Sequence, residues 1–278
     1  MQDRDPSAQP RQSTGRRATG TAGGILAALA IAAAKFKALA ALLLSFKWLV
    51  FAPKILLSFG TMFLSVWFYA LVFGGWKIGI VFVLMILVHE LGHLLTFRNF
   101  GVRASLPYFI PGFGAFVSSP MSADPTRNAV AALMGPVFGV AAAAACWGYG
   151  IATGEQFWIA CAYIGFFLNL FNLLPAFPFD GGRIAGAIDG RLWIAGIVLL
   201  VGFIVYFHAY TAFTILILLF VLANSLPRIA AAFRGQVDPS MQVVSAGPRM
   251  TLALFYFALI AIAVAGAAAT AHHSAAVR

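Results

Sequence analysis

Seven stretches of this chain are apolar, almost uncharged, and close to the roughly 20 residues a helix needs to cross a hydrocarbon core. They are Ile55–Phe73, Ile78–Phe97, Asn128–Ile151, Phe157–Leu174, Leu192–Phe207, Ala209–Leu226 and Thr251–Ala271. The chain as a whole is 62% hydrophobic and 9% charged, whereas a soluble domain carries about 25% charged residues. So few charges cannot cover a water-facing surface, so most of this surface must face lipid. The fold expected is an all-α polytopic membrane protein of about seven transmembrane helices.

The net charge of +10 raises the question of nucleic acid. The Lys and Arg residues do not interleave with aromatics in a soluble patch. They fall in the N-terminal segment and the connectors, as membrane topology requires. With a cytosolic N-terminus and alternating spans, 16 of the 18 Lys and Arg lie on the cytosolic side and only Lys77 and Arg278 lie outside. The opposite orientation inverts that ratio. A bacterial-type inner or plasma membrane is the expected location, the bilayer is a partner, and nucleic acid is not. Cys146 and Cys161 lie in apolar runs and imply no disulfide framework.

Residues 1–22 read as a polar, disordered cytosolic tail. Residues 23–53 are apolar but are cut by Lys35, Lys37 and Lys47, which suits a basic helix lying in the interface. Residues 54–226 form the membrane-embedded core, 227–248 a polar cytosolic loop, and 249–278 a last span with a short tail. Within the core, Asn99–Arg127 holds Pro107, Pro111, Gly112, Gly114 and Pro120 among apolar and aromatic residues. It is too apolar for a solvated loop and too broken for a helix. Irregular backbone at membrane depth must be surrounded by protein or line a water-filled cavity, so a small re-entrant β hairpin is expected there.

The second span carries Val88-His89-Glu90-Leu91-Gly92-His93. Histidines four apart share one helix face and can grip one metal ion, and Glu90, one step round, is placed as a general base. Three fixed positions recur by chance in soluble proteins. Three ionisable side chains in an otherwise uncharged span are costly, however, and usually mark function. A His–Glu pair clamping two helices is the structural alternative.

Zinc held by two His needs a further protein ligand and leaves one position open. Asp124 borders the broken segment and Asp189 precedes the fifth span. Asp180 stands out by its setting, Pro175-Ala176-Phe177-Pro178-Phe179-Asp180-Gly181-Gly182. There two prolines break the fourth span and the glycines free the backbone. Measured along a helix from Lys77, His89 lies about 18 Å in at 1.5 Å per residue. That is nearer the cytosolic side of a roughly 30 Å core, the side on which Asp180 also falls.

These residues resemble those of the site-2 proteases, intramembrane zinc metalloproteases that cut membrane-embedded peptides. The resemblance rests on His89-Glu90-Leu91-Gly92-His93, on Gly135-Pro136-Val137-Phe138-Gly139, and on Asn172-Leu173-Leu174-Pro175 with Asp180-Gly181. It spans roughly Leu56–Gly190. It implies one zinc per chain held by His89, His93 and Asp180, Glu90 as base, and Asn172 as an oxyanion donor. It also implies a transmembrane peptide as substrate, paired with a strand edge near the site. The motifs leave no room between them for a PDZ module, so a compact member is expected.

Gly135 and Gly139 read as a small-xxx-small packing motif, and Asn169 as a polar contact between helices. Arg183 and Arg191 read as topology determinants. Two other functions compete with proteolysis. A metal transporter predicts acidic or His residues spread across the whole membrane depth, and here they gather near one face. An inactive scaffold does not need Glu90.

Overall fold

The structure is a computed structural model describing residues 33–35, 37, 53–120, 122, 124–236 and 244–274. The expected tail at 1–22 lies outside the described residues, as does most of the interfacial segment 23–53. The chain divides into two compact units, Met1–Pro53 and Lys54–Arg278. In the first, residues 33–35 and 37 are helical.

The second unit is built from helices and one hairpin: α1 (Pro53–Val72), α2 (Trp76–Asn99), β1 (Tyr108–Ile110), β2 (Gly114–Phe116), α3 (Pro125–Thr153), α4 (Gln156–Asn172), α5 (Asp180–Ile188), α6 (Leu192–Tyr206), α7 (Ala212–Phe233) and α8 (Ala246–Ser274). Each of the seven apolar stretches forms a helix over most of its length. Four helices are long and apolar enough to cross a membrane: Trp76–Asn99, Pro125–Thr153, Thr214–Phe233 and Ala246–Ala271. The apolar parts of α1, α4 and α6 are shorter, at Leu56–Val72, Gln156–Asn172 and Leu192–Tyr206. The chain is thus an integral membrane protein, and among the described residues four of the seven expected spans reach full spanning length. α4 is cut short where it meets the Leu173–Phe179 turn, and α6 ends before His208, which takes a left-handed φ of 52°.

α2 and α3 form the centre. α3 packs along both α2 and α4, and α4 packs along α8. The core between them is rich in small residues, with Ala129, Ala132, Ala143, Ala162 and Ala263 buried around Phe166, Leu133 and Tyr256. Lipid is as apolar as a leucine side chain, so helices in a bilayer gain little from apolar burial and associate by close packing of small residues. α7 lies at the edge and exposes Leu216, Leu219 and Phe220.

The broken segment after α2 forms the expected hairpin. β1 and β2 pair antiparallel, with Tyr108 opposite Phe116, Phe109 opposite Ala115, and Ile110 opposite Gly114. Gly112 and Gly114 take φ of 84° and 98°, a region that only glycine enters without strain. The hairpin is fastened to α1, where the Ser58 hydroxyl donates to the Pro107 carbonyl and the Phe109 N–H donates to the Thr61 hydroxyl.

The polar loop expected from residue 227 starts later. α7 runs through Pro227 to Phe233. Proline costs a helix one N–H, and in membrane helices neighbouring groups can compensate. Here the Arg228 side chain bonds the Asn224 carbonyl and lies over the Phe177 ring, 4.3 Å from its centroid.

Candidate metal centre

α2 supplies two imidazoles. His89 and His93 are one helical turn apart, and both are buried, at 3% and 7% exposure. Each ring is fixed by its Nδ1. Asn169 on α4 donates its Nδ2 to the Gly165 carbonyl (2.8 Å), which turns its Oδ1 to His89 Nδ1 at 2.8 Å. His93 Nδ1 lies 2.7 Å from the Ala131 carbonyl on α3. Both partners are acceptors only, so both Nδ1 atoms carry the proton and both Nε2 atoms present lone pairs.

Asp180 comes from the far side. It opens α5 and turns one carboxylate oxygen into the gap, 3.0 Å from His89 Nε2 and 3.2 Å from His93 Nε2. The two Nε2 atoms are 3.1 Å apart. Three acceptors converge with no proton assigned between them, an arrangement that repels unless a cation occupies it. Zinc bonds of about 2.0–2.1 Å at tetrahedral angles put ligand atoms about 3.3 Å apart. The observed triangle is close to that size, so the residues fit the metal that the sequence implies. His89, His93 and Asp180 form the one His/Cys/Asp/Glu group of this kind among the described residues.

The turn that carries Asp180 is held from three directions. Tyr256 on α8 donates to the Leu173 carbonyl (2.6 Å), the Phe177 N–H donates to Ser225 on α7 (3.1 Å), and Trp193 on α6 donates its Nε1 to the Gly182 carbonyl (2.7 Å). Gly181 and Gly182 are buried, and a Cβ on either would strike the backbone of Leu173 or Ala176. Their role is therefore close packing of α5 onto the turn, not the backbone freedom read from the sequence.

Glu90, 5% exposed, sits on α2 between the histidines. It is not one of the converging ligands. The backbone N–H of Val117, just past β2, faces its carboxyl, so the end of the hairpin lies beside the acid. The remaining acidic candidates have other partners. Asp124 caps α3 through the Thr126 N–H (2.8 Å) and pairs with Arg127 at 3.5 Å. Asp189 accepts from the Arg191 N–H (2.9 Å). Asn172 ends α4 and donates its Nδ2 to the Leu168 carbonyl at 3.2 Å. Among the described residues it makes no hydrogen bond to the three metal-site side chains.

The glycine motif on α3 is structural, as expected, and its purpose is now specific. A Cβ at Gly135 would fall onto the His93 ring, and one at Gly139 onto the Asn169 carboxamide. The polar contact between helices expected of Asn169 is present, with His89 as the partner the sequence did not name, and the service of Ala131 to His93 was missed. The signal available for the first was a polar amide within an otherwise apolar stretch of α4, and for the second there was none.

Residues 77–154 match the model of peptidase family M50. This is a family of membrane zinc metalloproteases, and the match supports the resemblance to site-2 proteases and points to a metallopeptidase. It covers α2, the hairpin and α3, hence both histidines and Glu90, and stops before Asp180. No curated protein matches the chain.

Proposed function

We propose that this protein is a zinc endopeptidase that hydrolyses peptide bonds of membrane-embedded substrates, with its N-terminus and active site toward the cytosol. The observation that carries the reading is the convergence of His89, His93 and Asp180 with Glu90 on the adjacent helix position. When bound, zinc supplies a Lewis acid that polarises a carbonyl and acidifies a water. His89, His93 and Asp180 are the ligands, and Asn169 and Ala131 orient the imidazoles.

Glu90 takes a proton from the attacking water as its oxygen bonds to the scissile carbonyl carbon. It then delivers that proton to the departing nitrogen as the C–N bond breaks. The Asn172 amide, which has a second N–H beyond the one given to Leu168, is the donor proposed for the developing oxyanion. A helical substrate has its carbonyls hydrogen-bonded, so it must unwind before reacting. The edge of the Tyr108–Phe116 hairpin beside Glu90 suits an extended segment.

The test is Glu90→Gln in purified protein with a model membrane peptide. Zinc content should persist while cleavage falls by at least a hundredfold, within the usual range for loss of a general base. Cleavage at the wild-type rate removes the mechanism. Zinc carried without any cleavage by the wild type favours the scaffold reading, and zinc crossing the bilayer favours the transporter.

A further inference from the structure

A cavity of about 240 Å³ opens along α2 and α5, the helices that carry His89, His93 and Asp180. Its wall is an extension of the same helix faces. On α5, Arg183 and Ala187 follow Asp180 at i+3 and i+7, and on α2 Phe97 follows His93 at i+4, so each lies on the face that carries the ligand. Val117, whose N–H faces Glu90, lines it as well. A cavity of this size is below the roughly 300 Å³ at which sites for drug-sized ligands begin and suits one or two side chains.

The wall is apolar at Phe97, Phe116 and Ala129, and Arg183 is its charged side chain among the described residues. Among the described residues no carboxylate lies within salt-bridge distance of Arg183. Asn128 spends both ends of its amide on Ser122. The guanidinium is left as the strong donor available to an occupant, in a geometry that favours a planar, two-oxygen acceptor.

We propose that this cavity is a specificity subsite that binds a carboxylate of the substrate through Arg183, either an Asp or Glu side chain or the terminal carboxyl of a short product-like peptide. The proposal rests on the peptidase reading of the metal centre. A substrate extended along the hairpin advances about 3.3 Å per residue. Val117 lines the cavity and faces Glu90, so a side chain within a few positions of a scissile bond at Glu90 is the one placed to enter it. The topology role that the sequence gives Arg183 needs only its charge near the cytosolic face and predicts no such selectivity.

The experiment uses the full chain with zinc in zwitterionic vesicles and membrane peptides carrying Asp, Asn or Lys at each of three positions on either side of the scissile bond. A matching pair ends in a free carboxyl or an amide. The wild type should show about a tenfold lower KM for Asp over Asn at one position, with kcat little changed. Arg183→Glu should reverse the ranking toward Lys, and Arg183→Gln should flatten it while keeping wild-type zinc content and Tm. The side-chain series and the terminal pair tell the two carboxylate sources apart.

Equal KM across the series, or a ranking unaltered in Arg183→Gln, overturns the subsite while leaving the peptidase reading intact. Modification of Arg183 by phenylglyoxal, read by mass spectrometry, needs no catalysis. Slower modification with the Asp peptide than with the Asn peptide supports the subsite even if Glu90→Gln and wild type prove alike in cleavage. Equal modification, or protection by anionic lipid alone, overturns it.

Discussion

The Asn169 carboxamide oxygen lies 2.8 Å from His89 Nδ1, and this one bond across the α2–α4 interface decides which nitrogen of His89 is free. Asn169 is fully buried and its own amide nitrogen is committed to the Gly165 carbonyl, so the acceptor end cannot turn away without stranding a buried donor. The lone pair of His89 Nε2 is thereby aimed at His93 and Asp180.

Asn169→Ala should leave the helices in place and weaken zinc binding. Loss of a hydrogen-bonding partner behind a metal ligand typically costs about 10–100-fold in affinity. Competition with a calibrated chelator measures it. Unchanged affinity would mean that packing alone holds the ring.

Gly135→Ala and Gly148→Ala make a matched pair on α3. The methyl at 135 meets the His93 ring, whereas nothing lies within 4 Å of the methyl at 148. Overpacking of a tight interior costs typically about 1–3 kcal/mol, so Gly135→Ala should lower Tm and zinc occupancy together. Gly148→Ala should do neither, since alanine is the better helix former by about 1 kcal/mol. Thermal unfolding and metal analysis on both proteins read the difference.

Much of this site was legible because its residues are local. The spacing of His89 and His93 fixes their shared face once the span is helical, and the two prolines before Asp180 announce the turn that delivers it. The Pro and Gly pattern of 99–127 likewise reads as a hairpin, because helices and closed strand pairs are the options at membrane depth. What could not be read depends on packing between distant segments. Asn169 meets His89 across 80 residues and Ala131 meets His93 across 38. A backbone carbonyl has no sequence signature. Helix ends were misjudged for a related reason: hydropathy continues through Leu173 and Leu174 although the backbone turns there, and Pro227 looks like a stop although α7 passes through it.

The turn bearing Asp180 gives a third prediction. Trp193→Phe keeps an aromatic ring beside Phe177, 5.5 Å away in the native structure, but removes the donor to the buried Gly182 carbonyl. The carbonyl keeps its i+4 partner within α5, so the loss is that of one buried hydrogen bond, about 0.5–1.5 kcal/mol. Because Gly182 is two residues from Asp180, zinc affinity should fall with stability. Tyr256→Phe strands the Leu173 carbonyl at the other end of the same turn and should behave alike. If either variant loses stability with zinc affinity intact, the turn does not set the ligand's position.

Metal removal gives the last. With both Nδ1 protons committed to Asn169 and Ala131, two imidazole lone pairs and a carboxylate oxygen face one another at 3.0–3.2 Å. Zinc offsets that repulsion, and a ligand bound only by the folded state stabilises it by about 4 kcal/mol at a thousandfold excess over Kd. Chelation should therefore lower Tm, and added zinc should restore it in proportion to the logarithm of its free concentration. Asp180→Asn replaces the anionic oxygen by an amide that can donate to an Nε2 lone pair. Its apo form should consequently be no less stable than the apo wild type, and the Tm gain on adding zinc should shrink. A wild type whose Tm ignores both chelator and zinc would show that the three side chains are satisfied without a cation.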